Sequence, residues 1–274
     1  MLKGYVQQFL ILCCVFLFLM STGCGTGQDD RSLRKLIIED SSDWWSVSNK
    51  QFLLYAQERP TLDHIEKMAS YSIEAVKRIF AVKELVQSPT LYVIDEEKRW
   101  NTLISEEGLL SEGVSLQSGC EIVLFIKNEK ELLGDSVSHE IIHYILHDQG
   151  FSLPLALEEG LALHYGWGIN LNAHLAEGNV VTRKQKWVEP DDCIDFDELL
   201  AYEMYPTNAI QVKAFYDQSE RLVRGISRLL DDKDIPAFYR KVGLGEDKDW
   251  QKLLSEEYGC TPSQLTWLRG TTSP

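Results

Sequence analysis

The chemistry this sequence offers is concentrated in His139-Glu140-Ile141-Ile142-His143, two imidazoles four residues apart with a carboxylate beside the first. On a helix of about 3.6 residues per turn, positions i and i+4 share a face, so both rings can reach one zinc ion. Glu140 lies about 100° round that helix from His139, within reach of a water on the metal rather than of the metal itself. Zinc lowers the pKa of such a water to about 7, and the carboxylate takes its proton during attack on a carbonyl. The competing reading is an amphipathic helix whose histidines are capped or solvated.

A catalytic zinc keeps three protein ligands and one open position. His147 cannot be the third, because eight residues from His139 put it about 12 Å further along the axis. It reads instead as a polar residue of the last turn, favoured by the helix dipole. The longer spacing H-E-x-x-H-x-x-G-x-x-H fails as well, since Leu146 and Gln149 stand at its Gly and last His positions. A better source is Leu155-Ala-Leu-Glu-Glu-Gly-Leu-Ala162, where a second helix opens after Pro154 and carries the adjacent carboxylates Glu158 and Glu159. Two His and one Glu are an established catalytic zinc set.

Together these segments resemble the gluzincin zinc metallopeptidases, the clan that includes thermolysin and its aminopeptidase relatives. They are most similar to the compact bacterial peptidase MA-like domains, which pair H-E-x-x-H with a downstream W-L-x-E-G-L-A. Ala156-Leu157-Glu158-Glu159-Gly160-Leu161-Ala162 matches that segment, with Ala where the family often has Trp. The resemblance implies one zinc ion per chain held by His139, His143 and Glu159, with Glu140 as general base and Glu158 as a solvated neighbour. Ala214 to Val223 is similar to a family segment whose Tyr donates to the tetrahedral oxyanion. That implies Tyr216 in this role, against the alternative of a half-buried helical Tyr. The implied fold is zincin-like over residues 61–268: a small sheet, the active-site helix, then a mainly helical C-terminal part. Two departures stand out. Leu163 occupies the position where thermolysin-like enzymes have an Asp that orients a ligand His, and sequence names no replacement. Glu112–Gly119 does not match the Gly-rich exopeptidase motif, so aminopeptidase activity is not implied.

The elements that must position these residues are visible as periodicities. Ile65, Met68, Ala69, Ile73, Val76, Ile79 and Phe80 recur at helical spacing, predicting a helix from Thr61 to about Val86 that Ser88-Pro89 ends. Leu91–Ile94 and Cys120–Ile126 read as strands. The second of these is expected to bind extended substrate by strand addition. Asp95–Ile104 reads as a helix and residues 105–119 as a polar stretch. A long helix is expected from about Glu131 to Asp148, then a second from about Leu155 to Tyr165. Residues 168–192 look irregular. Helical patterns return at Asp195–Tyr202, Ala209–Leu230, Ile235–Val242 and Trp250–Tyr258. The order helix, strands, many helices predicts an α+β fold.

Residues 1–24 read as an export signal: Lys3, then an apolar run from Phe9 to Met20, too short for the roughly 20 residues a membrane span needs. Gly23-Cys24 resembles the acylation site of a bacterial lipoprotein, which implies lipidation at Cys24 and a membrane anchor. The alternative is a plain secretory signal. Residues 25–60 follow as tether and N-terminal segment. Cys120, Cys193 and Cys260 allow at most one disulfide among themselves. With 27 basic and 42 acidic side chains the net charge is −15, which disfavours nucleic acid as a partner. The expectation is a zinc-dependent peptidase of the bacterial cell envelope acting on peptide or protein substrates. Its alternatives are an inactive zinc-binding interaction module and a hydrolase of a non-protein, peptidoglycan-type amide.

Overall fold

Two short, unbroken apolar runs set up the sheet. In the computed structural model, which describes residues 44–94, 96–106, 115–118, 120–125, 130–176, 189–245 and 249–260, five strands form one sheet in the order β1-β2-β3-β5-β4. They are β1 (Trp45–Ser48), β2 (Leu53–Ala56), β3 (Thr90–Ile94), β4 (Ser115–Ser118) and β5 (Glu121–Phe125). β2, β3 and β5 are parallel, and the edge strands β1 and β4 are antiparallel to their neighbours. Register places Leu54 beside Leu91 and Leu91 beside Ile122, with Ala56, Val93 and Leu124 the next row along. All six lie in the main core. The intervening Tyr92, Ile94, Val123 and Phe125 are buried as well, and Phe125 stacks on Trp100 at 5.3 Å. Burial on both faces is why β3 and β5 read as unbroken apolar runs.

The fold is α+β, a small sheet with a mostly helical remainder. Helix α1 (Arg59–Ile79) packs on β1 and β2 and buries Leu62, Ile65, Ala69, Ile73 and Val76. It stops well short of Val86. Ala81 takes φ +52°, and the Val82 N–H donates to Lys77 O at 2.8 Å, closing the helix and turning the chain. The loop that follows is fastened to the far end of α3 (Lys130–Asp148), where the Asp148 carboxylate accepts from Val86 N and Gln87 N at 2.8 and 2.9 Å. Short helices α2 (Glu97–Glu106), α5 (Phe196–Ala201), α7 (Ile235–Gly243) and α8 (Trp250–Tyr258) complete the described residues, with α4 (Leu155–Ala176) and α6 (Ala209–Leu229) as the long ones.

Several expectations change. Residues 25–60, left without assigned structure, supply β1 and β2, and the polar stretch 105–119 supplies β4. Helix α4 runs past Tyr165 to Ala176, into a region read as irregular. The helix passes through Gly166 and Gly168, and at Gly166 it comes close to α3. An added Cβ there would lie 3.3 Å from His139 N. β5 is paired on both sides, so it cannot accept an added strand, and the edge belongs to β4. Cys120, Cys193 and Cys260 are all free thiols. Residues 1–24, with Cys24, lie outside the described residues, among which no helix is long and apolar enough to cross a membrane.

Candidate metal centre

Helix α3 is sunk in the core and carries polar side chains inward as well as apolar ones. Val137, Ile141, Ile142, Ile145 and Leu146 are buried, packed between the sheet, α1 and α4. On one face it carries His139, His143 and His147 at i, i+4 and i+8. Their rings follow one another at centroid spacings of 4.8 and 6.4 Å. Gly150, at φ +73°, ends the helix, and Pro154 O accepts from Leu157 N and Glu158 N to start α4. This tight connection lays the first turns of α4 against the histidine face. Glu158 sits in the first turn, where the helix dipole favours a negative charge.

Two glycines let α4 fit between α3 and α6. Gly166 meets the backbone of His139. Gly160, directly after Glu159, meets α6 so closely that a Cβ would fall 2.2 Å from Ser219 O and 2.6 Å from Val223 Cγ2. The Gly of the Glu-Glu-Gly segment is therefore a packing requirement of the ligand turn.

The structure brings His139, His143 and Glu159 together. Their ligand atoms lie within 4.8 Å of one another. His139 Nε2 and His143 Nε2 are 3.1 Å apart. Each also lies against one carboxylate oxygen: His143 Nε2 is 3.4 Å from Glu159 Oε1, and His139 Nε2 is 3.5 Å from Oε2. Zinc bonded to N and O at about 2.0–2.1 Å in a tetrahedron spaces its ligands about 3.3–3.4 Å apart. The donor set and its spacing thus fit a tetrahedral cation. Glu159 Oε2 supports the fit, since it is buried without a hydrogen bond.

Glu158 is not the solvated neighbour expected. It is 8% exposed, and its Oε1 accepts from His143 Nδ1 at 2.8 Å and from His147 Nε2 at 2.9 Å. This is the orienting partner that Leu163 could not provide. A carboxylate on Nδ1 fixes that nitrogen as the N–H and leaves Nε2 to bind metal. Burial disfavours the charged form of Glu158, but bonds to His143 and His147 outweigh it and bring the carboxyl down to about 2. Glu159 behaves alike: burial opposes its charge, and His143 and His139 hold it well below the carboxylate range. Burial would likewise lower His143, yet Glu159 and Glu158 keep its pKa well above the ordinary value.

Glu140 is 3% exposed on the same helix. Tyr216, on α6, is half-buried and stacks on Tyr205, with ring centroids 6.1 Å apart. Tyr205 itself donates a hydrogen bond to Glu159 Oε1. Burial first, then the Glu159 charge, pushes this phenol well above its ordinary pKa, so it stays a donor. Sequence reasoning passed over Tyr205, which sits 46 residues beyond Glu159 at no motif spacing. It also missed the role of Glu158, whose signal was present in the i+4 placement of His147 behind His143. No family model matches the chain, and no curated protein matches it closely enough to count as a relative.

Proposed function

We propose that this chain is a zinc-dependent peptidase with a zincin-like fold, exported and lipid-anchored at Cys24 in the bacterial cell envelope. The observation that carries the reading is the convergence of His139 Nε2, His143 Nε2 and the Glu159 carboxylate at 3.1–3.5 Å, on the helix that also bears the buried Glu140. Bound there, zinc would supply a Lewis acid that activates water and polarises a carbonyl. Glu140 takes the proton of the attacking water and passes it to the departing amine. Glu158 holds His143 in one tautomer. Tyr216, beside the site on α6, donates to the oxyanion. An extended peptide adds to the outer edge of β4, the edge strand against which α3 packs. The retained carboxylate at Glu140 favours catalysis over a purely structural metal site, which would not need it.

The test is metal content and hydrolysis measured side by side on the full-length protein. About one zinc per chain, with cleavage of a peptide library that Glu140→Gln abolishes while keeping its zinc, is the expected result. No zinc in the wild type after refolding with metal would overturn the reading. Zinc without any cleavage would reduce it to a binding module, and cleavage confined to peptidoglycan stem amides would change the substrate class.

A further inference from the structure

The peptidase reading has no use for Tyr205, yet much of the structure beyond α4 converges on it. The segment before α6 is anchored through Ile194, whose backbone N–H donates to Gln218 Oε1 at 2.7 Å and whose C=O accepts from Gln218 Nε2 at 2.8 Å. Gln218 is fully buried, so its amide acts as a fixed clamp. Ile194, Leu199 and Tyr205 then pack into a small apolar cluster with Ala156 of α4 and Val212, Ala214 and Phe215 of α6. Within it Phe215 meets the Tyr205 ring edge-on at 5.9 Å and Tyr216 lies almost parallel at 24°. The ring is buried among these side chains, and its hydroxyl lands on Glu159 Oε1.

We propose that Tyr205 is the positioning residue of the metal carboxylate: its hydroxyl occupies Oε1, which also faces His143 Nε2 at 3.4 Å, and holds Oε2 toward His139 as the oxygen offered to the cation. This rests on the zinc reading of His139, His143 and Glu159. Glu159 Oε2 is the oxygen left without a hydrogen bond, 3.5 Å from His139 Nε2. A glutamate side chain loses rotamer freedom when a metal fixes it, which opposes binding. A donor that already holds the rotamer removes part of that cost before the metal arrives. Tyr205 touches the ligand and not the reacting atoms, so its effect is expected on metal affinity first.

The experiment compares full-length wild type, Tyr205→Phe and Tyr202→Phe. Zinc dissociation constants come from competition with a chromophoric chelator, alongside cobalt(II) visible spectra and metal-free melting temperatures. Tyr202→Phe is the control: it removes a hydroxyl from the same aromatic group, but one bonded to Glu198. Tyr205→Phe is expected to bind zinc about 10–100-fold more weakly, as loss of an outer-sphere partner does, with shifted cobalt bands and the control unchanged. Wild-type affinity and spectrum in Tyr205→Phe overturn the proposal, and a lowered melting temperature alone would make Tyr205 a packing residue. Should Tyr205→Phe not fold, Gln218→Met releases the same segment. Weakened zinc binding in it supports the proposal, and wild-type affinity overturns it. A wild type that binds no zinc overturns the metal reading together with this inference, whereas a zinc-loaded wild type with an unchanged Tyr205→Phe overturns this inference alone.

Discussion

Truncating Glu158 to Ala should weaken zinc binding without removing a ligand. In the folded protein its Oε1 accepts from His143 Nδ1 at 2.8 Å, and His143 is fully buried. Without Glu158 a buried N–H loses its acceptor, which costs about 1–3 kcal/mol. The metal-free protein can escape much of that cost by moving the proton to Nε2. The zinc-bound protein cannot, because Nε2 must present its lone pair. Most of the penalty therefore falls on the bound state. Loss of an outer-sphere partner typically weakens metal binding about 10–100-fold, or about 1.4–2.8 kcal/mol at 1.4 per decade, which agrees with the hydrogen-bond figure. Glu158→Gln keeps an oxygen for Nδ1–H and loses only the charge, so it should fall between wild type and Glu158→Ala. Chelator competition on the full-length protein reads both. The stoichiometry separates orienter from ligand: Glu158→Ala should still reach one zinc per chain at high zinc, and Glu159→Ala should not. Wild-type affinity in Glu158→Ala would refute the reasoning and show that packing alone sets the His143 ring.

Gly160→Ala should destabilise by about 3 kcal/mol or more, because its Cβ would stand 2.2 Å from a backbone oxygen of α6 that cannot swing aside. Gly168→Ala, on the same helix with nothing within 4 Å of its Cβ, should instead stabilise by about 0.4–1 kcal/mol. Thermal or denaturant unfolding of the pair checks the opposite signs. Zinc at about a hundred times its dissociation constant should stabilise the protein by about 2.7 kcal/mol, worth about 5–11 °C for a domain of this size. The shift should survive in Glu140→Gln and vanish in Glu159→Ala, as read by scanning calorimetry with and without chelator.

What sequence could show here was whatever obeyed a period. Two histidines at i and i+4 must share a face wherever the segment is helical, and Leu91–Ile94 and Ile122–Phe125 could hardly be anything but buried strands. The Glu-Glu-Gly segment was visible as a motif, but the reason for its Gly is a helix crossing by α6, from residues about sixty further along. The misses have a common origin in tertiary contact. Trp45–Ser48 and Ser115–Ser118 are short edge strands whose four residues carry little hydrophobic period and gain their conformation from a neighbour's ladder. Helix α4 continues through Gly166 and Gly168 to Ala176 although each glycine costs about 1 kcal/mol of propensity, and Gly166 lies against the His139 backbone of α3. Glu158 looked solvated because its position beside Glu159 on an isolated helix points it away from the ligand face. Only the docking of α4 on α3 reveals that this other side faces His143 and His147.

The charge balance of the cluster favours a cation over a network of ion pairs. Glu158 and Glu159 are adjacent in the chain, buried, and held ionised against the same imidazole. Two carboxylates out of water repel each other and need compensating positive charge. Protonated histidine can supply it, but at the price of poor geometry: His139 Nε2 and His143 Nε2 face each other at 3.1 Å, and if both rings carry protons two donors collide. A dication removes the conflict. It would neutralise both carboxylates with every imidazole uncharged and would engage each nitrogen of His143 once, Nε2 on the metal and Nδ1–H on Glu158. It would also sit between two nitrogens 3.1 Å apart, close to the spacing of ligands on one zinc ion. On this argument the histidine–carboxylate arrangement is more stable with its cation than without it, and the melting-temperature difference between the two forms measures by how much.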